Sequence, residues 1–306
     1  MITRRRLVFG SIGLLAGTSA LSGYAFGVEP LLRLVTTRYR LTPKGWTPGL
    51  KLRICALADI HAVNPGMTAE RIATIVARTN ALRPDVTVLL GDYSRGRTHG
   101  WPIPPAEWAG ALSGLQAPLG VHAILGNHDW WDDPAAQSAR HGPTASGRAL
   151  EATGIAVYHN RSVRLEKDGK PLWLAGLGDQ IALLPRKDEP RPRRYTSLAD
   201  LDGTLAQITD QAPIVLLAHE PDIFTKVPDR VSLMLSGHTH GGQVRLFGYS
   251  PIVPSRYGNR YAYGHVVENG RNLIVSGGLG CSILPVRLGM PPEIVVIDLG
   301  GGEDVA

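Results

Sequence analysis

Five short polar motifs each close an apolar run, and that arrangement limits the folds open to the chain. Asp59-Ile60-His61 follows ICALA, Gly91-Asp92 follows VTVLL, and Gly126-Asn127-His128-Asp129 follows VHAIL. His219-Glu220 follows PIVLLA, and Gly237-His238-Thr239-His240 follows VSLMLS. Short apolar runs bounded by turn residues read as buried strands. In an open α/β sheet, binding groups collect beyond the carboxyl ends of the strands. Five motifs at strand ends would therefore meet along one edge.

The pattern between the motifs agrees with this. Arg53–Ala58, Val86–Leu90 and Val121–Leu125 read as strands, separated by helices at Ala69–Leu82 and Ala106–Leu115. The first helix carries Ile72, Ile75, Val76 and Thr79 on one face, with Thr68 as its N-cap. This β-α-β-α-β order predicts a mostly parallel, buried sheet. The second half is richer in strands. Val163–Leu165 and Leu172–Leu177 flank a hairpin turn at Lys167-Asp168-Gly169-Lys170. Ile214–Ala218, Val231–Leu235, Val266–Glu268, Leu273–Ser276 and Ile294–Ile297 are further strands, Ser197–Ile208 is a helix, and Ile181–Tyr195 is a loop. The expected architecture is α/β, with two packed sheets and helices outside them.

Asp59, His61, Asp92, Asn127, His219, His238 and His240 form a candidate ligand set for two adjacent divalent cations. Imidazole and carboxylate suit Mn, Fe(II) and Zn. A carboxylate has two oxygens and can bridge two ions. Paired ions about 3.5–4 Å apart polarise a phosphoryl group and stabilise a leaving oxygen. Asp59-x-His61 and His238-x-His240 have period-two spacing, which in extended backbone aims both side chains of each pair to one side. His128 is left over for chemistry. Each motif alone is weak, since a lone Gly-Asp is usually a turn; the ordered set is specific. No G-x-S-x-G nucleophile elbow and no G-x-x-x-x-G-K-[ST] phosphate loop occurs.

In this order the motifs resemble the calcineurin-like metallophosphoesterases. Gly241-Gly242-Gln243, Pro285-Val286-Arg287 and Pro291-Pro292-Glu293-Ile294 resemble their bacterial membrane-associated phosphodiesterase branch. The resemblance implies a four-layer α/β/β/α fold over residues 51–299, a two-sheet β-sandwich core flanked by helices. It implies that Asp59, His61, Asp92 and His240 hold one ion and that Asp92, Asn127, His219 and His238 hold the other. It implies that His128 contacts the phosphate and protonates or stabilises the leaving oxygen, with Asp129 orienting His128. Two positions depart from many relatives: Ala58 stands in place of a polar residue, and Tyr93-Ser94-Arg95 in place of an acid.

Residues 1–28 read as a targeting segment. Arg4, Arg5 and Arg6 precede an apolar stretch from Leu7 to Phe26, similar to a twin-arginine export signal or a retained anchor. Residues 29–50 read as a connector, with Leu31–Trp46 basic, and 300–306 as a tail. Hydrophobic residues make up 43% of the chain, which predicts a folded body. The formal charge is +6, of which the three leader arginines supply half, and residues 1–28 hold no acid. The small remaining excess does not mark a nucleic-acid binder. The two cysteines, Cys55 and Cys281, form no C-x-x-C motif.

The expected activity is hydrolysis of a phosphate ester by a monomer on the periplasmic side of the cytoplasmic membrane. Trp101 and Trp130-Trp131 would either wall the cleft for an acyl or glycolipid substrate or pack locally. Arg186, Lys187, Arg191, Arg193 and Arg194 make one loop basic, suited to anionic head groups or simply to solvent. A narrower alternative is cleavage of the UDP-2,3-diacylglucosamine pyrophosphate, whose cytoplasmic location conflicts with an external site. A metal-bound envelope binding protein without turnover is the alternative outside enzymology.

Overall fold

The computed structural model describes residues 17–186 and 194–301. In the first half its strands are β1 (Val35–Leu41), β2 (Leu52–Leu57), β3 (Val63–Asn64), β4 (Val86–Leu89), β5 (Trp101–Pro102), β6 (Val121–Ala123) and β7 (Ala156–Val157). In the second half they are β8 (Arg161–Lys167), β9 (Lys170–Gly176), β10 (Ile214–Leu217), β11 (Leu233–Ser236), β12 (Gly264–Glu268), β13 (Arg271–Val275) and β14 (Glu293–Leu299).

One sheet runs β1-β14-β2-β4-β6-β7 and the other β12-β13-β11-β10-β9-β8. In the first, β2, β4, β6 and β7 are mutually parallel; in the second, β9, β10, β11 and β13 are. The chain-reversing pairs are β14 with β2, β12 with β13, and the β8–β9 hairpin. That hairpin turns at Asp168 and Gly169, both at positive φ, as a tight two-residue turn requires.

The two sheets pack face to face through Leu52, Ile54, Val86 and Val88 on one side and Val215, Leu217, Leu233 and Leu235 on the other. Helices α1 (Ala69–Ala81) and α2 (Pro105–Leu112) cover the outer face of the first sheet with Ile72, Ile75, Val76, Trp108 and Leu112. The Thr68 hydroxyl accepts from Arg71 N and caps α1, relieving one of the free amides at a helix start. The outer face of the second sheet is covered by a thinner layer that includes Phe224 and Tyr261. The α/β sandwich with outer helices is the architecture the alternation of runs predicts.

Two expectations need revision. The stretch read as a connector contains β1, which pairs in parallel with β14 from Val35↔Glu293 to Leu41↔Leu299. Its exposure alternates along VTTRYRL, with Arg38 and Arg40 on the exposed phase, so an edge strand imitates a charged linker. The helix expected over 197–208 shortens to Leu201–Leu205, begun by Asp200, whose carboxylate accepts from Gly203 N. Residues 17–32 are helical, and the chain then meets the body: Arg287 N donates to the Ala25 carbonyl and Met290 N to the Glu29 carboxylate. Among the described residues no helix is long and apolar enough to cross a membrane. Arg4, Arg5 and Arg6, and Lys187, Arg191 and Arg193 of the basic loop, lie outside the described residues.

Candidate metal centre

The motif residues sit just past their strands, where the backbone turns sharply. Asp59, His61, Asp92, His238 and His240 all have positive φ, between 47° and 68°. Side chains other than glycine rarely take this conformation, and such strain concentrates at functional sites. This corrects the expectation of extended backbone: each pair converges through left-handed turns, not through strand alternation. Gly91 allows a close approach of the turns. Its φ is 96°, and a Cβ there would lie 2.5 Å from Gly126 N and 2.8 Å from His219 Nδ1.

These turns gather two groups of ligand atoms. Asp59, His61 and His240 form one, and Asp92, His219 and His238 the other. In the first, His61 Nε2 lies 3.1 Å from His240 Nε2, and Asp59 Oδ1 is 3.9 Å from His240 Nε2. In the second, Asn127 Oδ1 lies 2.9 Å from His238 Nδ1. Asp92 joins them: its Oδ2 is 3.6 Å from His61 Nε2 and 3.2 Å from His219 Nε2. All seven residues expected from the sequence therefore converge.

The hydrogen bonds behind the rings fit a cation. His61 Nδ1 lies 3.0 Å from the Ser94 carbonyl, and His219 Nδ1 lies 2.7 Å from the Leu90 carbonyl. A carbonyl can only accept, so each Nδ1 carries a proton and Nε2 is the nitrogen left to offer a lone pair to a cation. His219 Nε2 is buried without a hydrogen-bond partner. Two aspartates and four inward imidazoles form a donor set for borderline divalent ions such as Zn, Mn or Fe(II).

Electrostatics reinforce this. Burial pushes Asp59 up to about 7, with Asp92 adding to the rise and His219 opposing it. Burial holds His61 down at about 4. Burial opposes charge on Asp92 too, but His219 and His128 beside it outweigh that and hold its carboxyl well below the usual range. His219 shows the converse: burial opposes its charge, and Asp92 pushes its pKa well up.

His128 is the second residue of α3 (Asn127–Trp131), and its ring meets His61 and Trp131 edge-on at 5.3 and 5.1 Å between centroids. Its Nδ1 is buried without a partner, and its backbone N donates to Asp92 Oδ1 at 2.8 Å. Asp129 does not touch the His128 ring by any hydrogen bond among the described residues. Its carboxylate accepts from the amides of Asp92, Tyr93, Ser94 and Gly126, at 2.9 to 3.2 Å. The expected orientation of His128 by Asp129 is thus replaced by a backbone clamp: α3 is tied to the turn that carries Asp92. Ser94 completes the clamp by donating from its hydroxyl to the His128 carbonyl.

Of the tryptophans, Trp131 stands beside the site and stacks on Tyr195, Trp130 is buried in the core, and Trp101 is exposed. Both cysteines are unpaired, and burial pushes the Cys55 thiol up to about 12.

Two supporting groups had no role assigned from the sequence. Asp179 and Glu220 are buried and converge with His219. Burial and the neighbouring Glu220 push Asp179 well above the usual carboxylate range. Gly178-Asp179 follows the apolar run LWLAGL, so it carries the same signal as the five motifs. Arg287 is fully buried, and its guanidinium donates to the carbonyls of Gly277, Gly280 and Met290, with Nη2 also 3.4 Å from His240 Nδ1. It holds the glycine turn at Gly277–Gly280 against the His240 turn.

A family model described as calcineurin-like phosphoesterase matches residues 52–242. The chain is 32% identical to the uncharacterized metallophosphoesterase YkuE of Bacillus subtilis (strain 168), over 97% of this chain and 98% of that protein. It is 28% identical to the phosphodiesterase YaeI of Escherichia coli (strain K12), over 98% and 100%. It is 29% identical to a transmembrane protein with metallophosphoesterase domain from Danio rerio, over 81% of this chain and 53% of that protein. Placed on the convergent strand-end turns, these matches show that the chain belongs to the calcineurin-like phosphoesterases, metal-dependent hydrolases acting on phosphoric esters.

Proposed function

We propose that the chain is a two-metal phosphodiesterase, exported to the periplasmic side of the cytoplasmic membrane and either anchored there or released. The observation that carries the reaction is Asp92 Oδ2, set between His61 Nε2 and His219 Nε2 at 3.6 and 3.2 Å. Asp59, His61, Asp92 and His240 would hold one ion, and Asp92, Asn127, His219 and His238 the other, with Asp92 shared between them. A bound divalent pair supplies charge stabilisation for the phosphoryl group and a water activated near neutral pH.

The chain's own residues do the rest. Asp59 accepts from His238 N at 2.9 Å, so the turns of the two groups brace one another. His128 needs no metal, has an unpartnered ring nitrogen, and stands beside His61; it stabilises or protonates the leaving oxygen. Trp131, edge-on to His128, limits how that ring can turn.

Phosphodiester specificity is supported by the name of the Escherichia coli relative. Membrane association is supported by the three arginines before the Leu7–Phe26 stretch and by the transmembrane name of the Danio rerio relative. The test is hydrolysis of bis(p-nitrophenyl) phosphate by purified chain loaded with Mn²⁺. Turnover in the wild type and its loss in Asp92→Ala and His128→Ala supports the reading; undiminished turnover in both variants overturns it. Protease treatment of intact spheroplasts tests location, and protection of the folded body would contradict export.

A further inference from the structure

The proposed reaction leaves one cavity beside the metal centre unused. It has a volume of about 370 Å³ and reaches the centre at His61. Its other walls include Phe26, Leu31, Val63, Met67, Leu279 and Pro285. Apart from His61 and the exposed His99, the polar side chains in the wall are already engaged. Arg71 donates to the Gly66 and Pro30 carbonyls at 2.9 and 2.5 Å, Thr98 donates its hydroxyl to the Cys281 carbonyl, and the Gly280 carbonyl accepts from Arg287. What remains facing inward is mostly carbon, in a space within the usual size range of a small-molecule site, roughly 300–1,000 Å³. Water there would find few partners.

The mouth is apolar as well. Phe26 and Leu31, which line the cavity, are about half exposed, and Leu32 and Leu284, next to lining residues, are also exposed. Clustered apolar exposure of this kind marks a binding surface. The helical segment that supplies Phe26 and Leu31 follows directly on the apolar sequence that begins at Leu7. A phosphate seated between the two ligand groups would have one ester arm at His61, where the cavity begins.

We infer that this cavity takes a hydrocarbon chain of the substrate, which makes the substrate class a phosphodiester carrying an acyl or alkyl arm. The inference rests on the two-metal phosphodiesterase reading. Two readouts on the full, Mn²⁺-loaded chain separate the two. The first is kcat/KM for p-nitrophenyl n-alkyl phosphates from methyl to decyl. The second is calorimetric binding of n-alkyl phosphates of the same lengths, below their aggregation concentrations.

Each added methylene is expected to raise kcat/KM and tighten Kd about three- to fourfold until the cavity is full. Met67→Trp, which fills the cavity, is expected to flatten both series. Leu31→Asp changes a half-exposed residue, so it tests the same wall without a core substitution, and it is expected to cut the gain per methylene. Hydrolysis with no dependence on chain length overturns the cavity assignment and leaves the phosphodiesterase reading intact. Chain-length-dependent binding with no hydrolysis of any diester supports the cavity and overturns the reaction. If the chain's own first sixteen residues filled the space, the full chain would show no gain and a form lacking them would; that result also overturns the assignment.

Discussion

Asp92 is the residue on which both ligand groups depend, because a single carboxylate oxygen stands between His61 and His219. Asp92→Ala is expected to release metal from both groups and to lower kcat/KM on the order of 10³-fold, which elemental analysis and kinetics would show together. His128→Ala is expected to separate the two properties. Metal content stays at the wild-type level, while kcat falls about 10²–10⁴-fold, the usual worth of a positioned acid. Equal loss of metal in both variants would place His128 among the ligands.

Residue charge also sets a pH dependence. Asp59 is pushed up to about 7 and His219 is pushed up by Asp92, so both hold protons to higher pH than usual in the metal-free protein. Cations compete with these protons, so metal uptake releases them. Affinity is expected to rise as pH rises through about 7 and to weaken as it falls. Calorimetry of Mn²⁺ binding at pH 6, in two buffers of different ionisation heat, would report the protons released; an identical heat in both buffers would contradict the assignment.

Turns, more than strands, shape the site. Asp129 binds four amides and so joins the end of β4 to the start of α3. Asp129→Ala leaves those buried amides unsatisfied and is expected to weaken metal binding about 10–100-fold, as loss of a supporting contact does. Arg287→Met leaves the Gly277, Gly280 and Met290 carbonyls without their donor and is expected to cost about 3 kcal/mol or more in chemical denaturation.

The legibility of the elements follows the same division. Strands buried on both faces, such as β4 and β10, stand out as apolar runs, and all seven ligand residues follow such runs. The edge strand β1 was hidden because half its side chains face solvent and two are arginines. The clamp at Asp129 and the brace at Arg287 were hidden because their partners are backbone groups, which no residue type marks in the sequence. The left-handed turns were hidden because no glycine marks Asp59 or His61 themselves.

At the scale of the molecule, two sheets bring strand ends from both halves of the chain to one edge: β2, β4 and β6 from one sheet, β10 and β11 from the other. The order of motifs made that convergence legible. What covers the edge was not legible, because the wall at Phe26 and Leu31 comes from the stretch read as a leader and connector. The central claim is that the seven side chains hold two ions, and anomalous scattering from crystals grown with Mn²⁺ tests it most directly. Two peaks roughly 3.5–4 Å apart, one on either side of Asp92, are the expected result; a single peak, or peaks away from Asp59, Asp92 and His219, would contradict it.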